Sequence, residues 1–168
     1  LVVDAVIAGR IEKAKVIRPE TIVTGDVIVG LESTGQATYE SFVNSGVGSN
    51  GLTLARHCLL NRSYAEKFPE VIDPQNISDA SYAGPFKTTD SPAGLRMTIG
   101  QALSSPTRTF APVLKKIYET VPQIHAAIHV TGGGATKVLR FGKAKRYVKD
   151  NLLPIPPLFQ LIQEHGKV

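Results

Sequence analysis

An α/β (α+β) fold, a layered mixed sheet with helices, is predicted by three observations. Val- and Ile-rich runs of strand length open the chain and return at 22–31 and 124–131. Helix-length stretches with one apolar face alternate with them, as layered domains require. Neither heptads nor an internal repeat organises the 168 residues.

The opening run, "LVVDAVIAG", is almost continuously apolar, the pattern of a strand covered on both faces. "TIVTGDVIVGLES", residues 21–33, gives two short β-rich runs about a Gly25-Asp26 turn signal. "TGQATYESFVNSGVGSNG", 34–51, is rich in Gly, Ser and Asn and reads as a loop. Leu52, Ala55, Leu59 and Leu60 then share a helical face, with Ser49 or Asn50 as N-cap, whose short side-chain oxygen can accept an orphan amide. Residues 61–98 carry several Pro and Gly breaks and no period, so an extended surface excursion is expected there.

"SSPTRTFAPVLKKIYETV", 104–121, predicts a helix capped by Ser105 or Thr107, with Pro106 in its first turn. Phe110, Val113, Leu114, Ile117 and Val121 form its stripe. "PQIHAAIHVTGGG" follows as a strand running into three glycines. "KAKRYVK" at 143–149 reads as a solvated edge strand, since lysines protect edges. "PIPPLFQLIQEHG" closes as a helix with Leu158, Leu161 and Ile162 inward, His165 near its negative end and Gly166 at C′.

At 168 residues and 42% hydrophobic composition a single domain, 1–168, with a real core is expected. No apolar stretch nears the roughly 20 residues of a membrane span, and the start lacks a signal-peptide pattern, so no membrane partner is expected. The absence of an initiator Met suggests a fragment, or the second half of a longer protein. A lone cysteine, Cys58, allows no internal disulfide and favours a reducing compartment, the cytoplasm. The net charge of +5 is dispersed and Trp is absent, which argues against nucleic acid and suits a small anion.

Three stretches carry chemistry. In the strand over 124–131, His125, Ala127, His129 and Thr131 share the face opposite Ile124, Ala126, Ile128 and Val130. Gly132, Gly133 and Gly134 bare backbone amides to any ligand, and a short helix near Ala135 would add its positive end. A plain glycine turn is the bland alternative. "GVGSNGLTLAR" places Ser49, Asn50 and Gly51 at a helix mouth, an anion-ready geometry or ordinary capping. Arg56, further along, is more commonly a solvated side chain. In "SPTRTFAP", Arg108 in a helix's first turn opposes the macrodipole unless an anion or a carboxylate sits beside it. His57 and Cys58 point in different directions on their helix, so no metal ligands are expected and Cys58 reads as a small buried residue. Walker-type lysine loops and G-x-S-x-G elbows are absent.

In order, "GSNGLTLAR", "LSSPTRTFAPVLKKI", "HVTGGG" and "PPLFQLIQEHG" resemble the C-terminal domain of the aminoimidazole ribonucleotide (AIR) synthases, over nearly the whole chain. "TGDVIVGLESTG" is similar to the strand pair ahead of that family's Ser-Asn-Gly motif, and "GQATYE" with 61–98 resembles its larger-insert form. The resemblance implies an ATP- and Mg²⁺-dependent homodimeric cyclo-ligase of purine synthesis. The formyl oxygen of formylglycinamidine ribonucleotide is activated by phosphorylation, an internal nitrogen attacks, phosphate leaves and the imidazole ring closes. Nucleotide and metal sit mainly on an N-terminal domain; the C-terminal domain helps hold the phosphorylated substrate.

The resemblance also assigns residues. Ser49, Asn50 and Gly51 match Ser-Asn-Gly; Pro106, Thr107 and Arg108 match Pro-Thr-Arg; His129, Thr131 and Gly132 to Gly134 match His-x-Thr-Gly-Gly-Gly. His129, Arg108 and Asn50 are the catalytic candidates, and Ser49, Asn50, Gly51, Thr107, Arg108, Thr131, Gly132, Gly133 and Gly134 the phosphate-binding ones. Gly48 stands where the common form has a His, and "ATKVLR" offers Lys137 where it has an Asn. Two other readings remain: a related ATP-dependent enzyme (selenophosphate synthetase, thiamine-phosphate kinase or hydrogenase-maturation type), or a non-catalytic ligand-binding or dimerisation module.

Overall fold

The computed structural model describes residues 5–48, 51–76, 80–142 and 144–166. Its elements, in chain order, are β1 (Thr34–Gly35), β2 (Asn44–Ser45), α1 (Leu52–Leu59), α2 (Ser63–Lys67), α3 (Ile99–Leu103), α4 (Ala111–Thr120) and α5 (Pro157–Gly166); the described residues also form five 3₁₀ helices, two of them ahead of β1. The mixed helix-and-strand class is present, its sheet among the described residues being the antiparallel β1–β2 pair, with Thr34 opposite Ser45 and Gly35 opposite Asn44. The chain divides into two compact units: Leu1–Ile28 with Ala111–Lys149, and Val29–Phe110 with Asp150–Val168.

The second unit holds the core. Ala55 and Leu59, fully buried on one face of α1, pack with Ile99, Ala102 and Leu103 of α3 and Leu158 and Ile162 of α5. The small side chains of Ala55 and Ala102 allow close approach, and each fully buried Leu or Ile contributes about 1.5–3 kcal/mol. A capping box starts α3: Thr98 Oγ1 accepts from Gln101 N at 3.2 Å, and Gln101 Oε1 accepts from Thr98 N at 2.9 Å. In α5 the expected inner face is seen, with Gly166 as the last helical residue rather than beyond it.

Residues 61–98 are not the surface excursion the sequence predicts. Ile72, Tyr82 and Leu95 from this segment belong to the core. The segment binds the end of α1, where the last helical carbonyls need partners. Ala83 N donates to His57 O at 2.9 Å, Phe86 N to Leu59 O at 3.0 Å, and Asn61 N returns to Phe86 O at 2.8 Å. This contact works only because residue 84 is glycine: a Cβ there would lie 2.1 Å from the Leu59 carbonyl carbon. The missing periodicity reflects backbone pairing against a helix end, which leaves no repeating side-chain pattern. Neither Ser49 nor Asn50 falls within the described residues; Gly51, at φ +85°, occupies the N-cap of α1.

His57 ties the same join. Its Nδ1 accepts from Tyr82 N at 3.2 Å, and its ring meets the Tyr82 ring edge-on at 5.0 Å. Burial holds the imidazole below its ordinary pKa, with the Arg56 charge adding to the effect.

In the first unit, α4 starts at Ala111, not near Ser105. Its stripe residues Val113, Leu114 and Ile117 are half-buried. The expected turn at Gly25-Asp26 is formed, with Val23 N donating to Asp26 Oδ2 at 2.9 Å and Gly25 at φ +98°. In the strands expected over the first ten residues, at 124–131 and at 143–149, the described residues form no ladder, and residues 1–4 and 143 lie outside the described residues. Val6 and Ile7 are 96% and 94% exposed, so the apolar pattern there lacks a facing segment within the unit. His125 pairs with Asp26 at 2.8 Å, and Thr21 Oγ1 donates to the His125 carbonyl at 2.9 Å. These bonds bring the 21–26 turn to the segment leading into the glycines. A cavity of about 330 Å³ lies beside it, lined by Ile17, Pro19, Tyr118, Ala126, Ile128 and Phe141.

Two outcomes follow. Gly84→Ala should destabilise the protein in chemical denaturation by about 1–3 kcal/mol, whereas Gly9→Ala, with open space around it, should be nearly silent. The His57 contribution to stability is present above pH 6.5, the unfolded value, and is lost as pH falls through the depressed folded value, because the unfolded chain takes up the proton first. A series of melts from pH 7.5 to about 5 should show this decline, and His57→Gln should flatten it.

Candidate functional site

The Pro-Thr-Arg segment lies ahead of α4, not in its first turn, and Arg108 is therefore free of the helix dipole that made it look misplaced. Its side chain is only 7% exposed. An arginine carries five N–H donors, and all are used. Nε donates to Glu40 Oε1 at 2.9 Å and one Nη to Glu40 Oε2 at 2.8 Å, a bidentate pair. The remaining donors go to the carbonyls of Glu32 at 2.7 Å, Thr34 at 3.1 Å and Gly35 at 2.8 Å. The Arg108 hydrogen bonds, with a second one from Ala37 N, hold the Glu40 carboxyl below its ordinary range. A carboxylate does sit beside Arg108, but it answers the burial of the guanidinium and not a helix dipole, and nothing in the spacing pointed to Glu40.

Flanking residues are fixed in the same way. Ser45 N donates to Ser105 Oγ at 3.1 Å, Asn44 Nδ2 to Pro106 O at 2.8 Å, and Tyr39 OH to Thr109 O at 2.8 Å. Asn44 and Ser45 are buried and satisfied. Thr107 is exposed, and its hydroxyl has no partner among the described residues. Gly48, at φ +56°, opens the space beside it: a Cβ there would come within 3.1 Å of Thr107 Oγ1. A groove of about 570 Å³ runs past Pro106, lined also by Phe42, Val43, Arg96, Met97 and Gln101.

The glycine run belongs to the first unit. Gly133 and Gly134 have φ of +93° and +48°, which side-chain-bearing residues rarely adopt. Gly134 N donates to Thr131 O at 2.9 Å and Thr136 N to Gly133 O at 3.1 Å, closing a tight turn into the 3₁₀ helix Gly134–Arg140. Basic side chains gather on that turn. Lys137 Nζ donates to Thr131 Oγ1 at 3.1 Å, the Arg140 guanidinium approaches Gly133, and Lys149 donates to the Ala135 carbonyl. His129 is exposed.

The structure thus brings Thr107 and Arg108 together with Gly48, and separately Thr131 and the three glycines with Lys137 and Arg140. Gly51 starts α1, while Ser49 and Asn50 lie outside the described residues. Sequence reading missed Glu40, Tyr39, Asn44 and Arg140. Among the described residues no group of three His, Cys, Asp or Glu side chains gathers to hold a metal. The half-buried Cys58 thiol is pushed up by burial, which suppresses the reactive thiolate. No helix among the described residues is long and apolar enough to cross a membrane.

A carbon-detected titration should find the Glu40 carboxyl ionising below 4.5, and Arg108→Lys should move it back upward. In the glycine turn, Gly133→Ala should destabilise by about 1 kcal/mol or more through its positive φ, read by thermal melting.

No family model matches the chain. Over 159 residues, 94% of its length, it is 34% identical to the phosphoribosylformylglycinamidine cyclo-ligase of Methanococcus vannielii. Over 164 residues, 95% of its length, it is 31% identical to the enzyme of that name from Burkholderia ambifaria. The chain spans 36% of the length of each of these curated relatives. Its homologues, then, are phosphoribosylformylglycinamidine cyclo-ligases, and this chain corresponds to their C-terminal portion.

Proposed function

We propose that this chain is the C-terminal part of an ATP-dependent cyclo-ligase that converts formylglycinamidine ribonucleotide to aminoimidazole ribonucleotide, a step of de novo purine synthesis in the cytoplasm. The similarity to cyclo-ligases over 94% of the chain is the single observation that carries it. Both site regions suit an anionic ribonucleotide: a free Thr107 hydroxyl beside a glycine-opened space, and a glycine turn ringed by Lys137, Arg140 and Lys149. By the resemblance, Mg²⁺ and ATP belong mainly to the N-terminal portion of a homodimeric enzyme. When bound there, ATP supplies the phosphoryl group that activates the formyl oxygen.

This chain's own part is positioning. Thr107 donates to an anionic oxygen, and the glycine turn offers the backbone amides of Gly132 and Gly133; Thr131, Gly134, Ser49, Asn50, Gly51 and His129 complete the set carried by the resemblance. Arg108 joins that set in the role its geometry allows, holding Thr107 in place. Oriented donors are what ring closure needs, since attack by an internal nitrogen depends on how the ribonucleotide is held.

The full-length protein, given formylglycinamidine ribonucleotide, ATP and Mg²⁺, should release aminoimidazole ribonucleotide, ADP and phosphate. Residues 1–168 alone should bind ATP poorly in calorimetry. Folded full-length protein that makes no product, or tight ATP binding by the isolated chain, would contradict the proposal.

A further inference from the structure

Residues 105–109 are fastened almost atom by atom. Ser105 is fixed by Ser45 and by its bond to Gln101 O, Pro106 by Asn44, Arg108 by Glu40 and three carbonyls, and Thr109 by Tyr39. Thr107 is the exception, exposed and without a partner among the described residues. Every fastening reaches back into residues 32–45 or to α3. A ligand anion that took Arg108 would first have to displace a buried bidentate carboxylate, whose charge matches that of the ligand.

We propose that Glu40 is a positioning residue: by occupying Arg108 it fixes the Pro-Thr-Arg segment so that Thr107, not Arg108, presents its hydroxyl to a phosphoryl oxygen of the ribonucleotide. The inference rests on the cyclo-ligase reading and adds to it a residue that the sequence motif does not contain. Glu40 lies more than sixty positions before Arg108 and reaches the site only through it. Arginine is the residue type suited to this task. Its planar fork can meet a carboxylate with two donors while three others hold backbone carbonyls, which a lysine ammonium cannot do.

The test uses the full-length protein with formylglycinamidine ribonucleotide, below the melting temperature of every variant. Glu40→Gln keeps the shape but loses the charge and one acceptor. It should raise KM for the ribonucleotide by about tenfold while kcat stays within about twofold. Thr107→Val should do the same with little change in melting temperature. The double variant should be no worse than the poorer single one, because both act through one hydroxyl. Glu40→Asp, which keeps the charge on a shorter arm, should fall between wild type and Glu40→Gln, and it serves as the reading if Glu40→Gln does not fold.

Multiplying KM effects in the double variant would overturn the proposal. So would an unchanged KM in Glu40→Gln alongside an Arg108→Lys that loses turnover without losing stability. Should wild type make no product, the cyclo-ligase reading fails separately. Hydrogen exchange then judges the clamp: Glu40→Gln must speed amide exchange within 32–48 and 105–109 by about tenfold, and unchanged exchange overturns it.

Discussion

A single guanidinium sets the shape of the candidate site. Arg108 is withdrawn from solvent, and a buried arginine is tolerable only if its charge and all its donors are met. Glu40 meets the charge; Glu32, Thr34 and Gly35 meet the rest. Because three of the five acceptors are main-chain carbonyls, satisfying the side chain dictates the path of the backbone. The β1 strand and the loop after it can follow only courses that aim those carbonyls inward. Thr34 and Gly35, whose carbonyls Arg108 binds, are the two residues of β1, paired with Ser45 and Asn44 of β2.

The core behind it obeys simpler physics. Ala55, Leu59, Ile99, Leu158 and Ile162 bury one face each of α1, α3 and α5. The segment 83–86 closes over the end of α1 by backbone pairing, with His57 and Gly84 making the join possible. These contacts hold α1 and α3 as a fixed base. From α3 the chain passes directly into Ser105 and Pro106, so the clamp is anchored on a packed helix rather than on a free loop. Catalytic precision in a ring closure depends on such anchoring, since a misplacement of about 1 Å can cost two orders of magnitude in rate.

Helical parts of the fold were legible in the sequence where side-chain period reports burial. The apolar faces of α1 and α5 read correctly because their partners are other helices. The β-like runs misled, since Val and Ile alternation records a preference for pairing but not whether a partner segment exists; Val6 and Ile7 remain exposed. Loop chemistry was the least legible. Residues 34–51 looked like a Gly- and Ser-rich connection, yet they contain β2, the buried Asn44 and Ser45, and the acid that holds Arg108. Arg108 drew attention in the sequence as a cation in a helix's first turn, a premise the structure removes by starting α4 at Ala111. Glu40 drew none, because pairing across a long loop leaves no spacing rule.

The glycine turn shows the same division. A break at three successive glycines was readable, whereas the approach of Arg140 and Lys149 depends on how the 3₁₀ helix and the following chain fold back. The two candidate regions thus differ in kind. One is a turn where basic side chains gather near bared amides, and the other is a neutral hydroxyl held out by a neutralised ion pair.

Nitrogen-15 spectroscopy of the Arg108 side chain is the most direct measurement. If the guanidinium is committed to Glu40 and the three carbonyls, its Nε–H and Nη–H protons will appear as separate, slowly exchanging resonances that persist when the phosphorylated ribonucleotide is added. Averaged, rapidly exchanging Nη signals that become distinct only with the ribonucleotide present would show instead that Arg108 is a free ligand-binding cation.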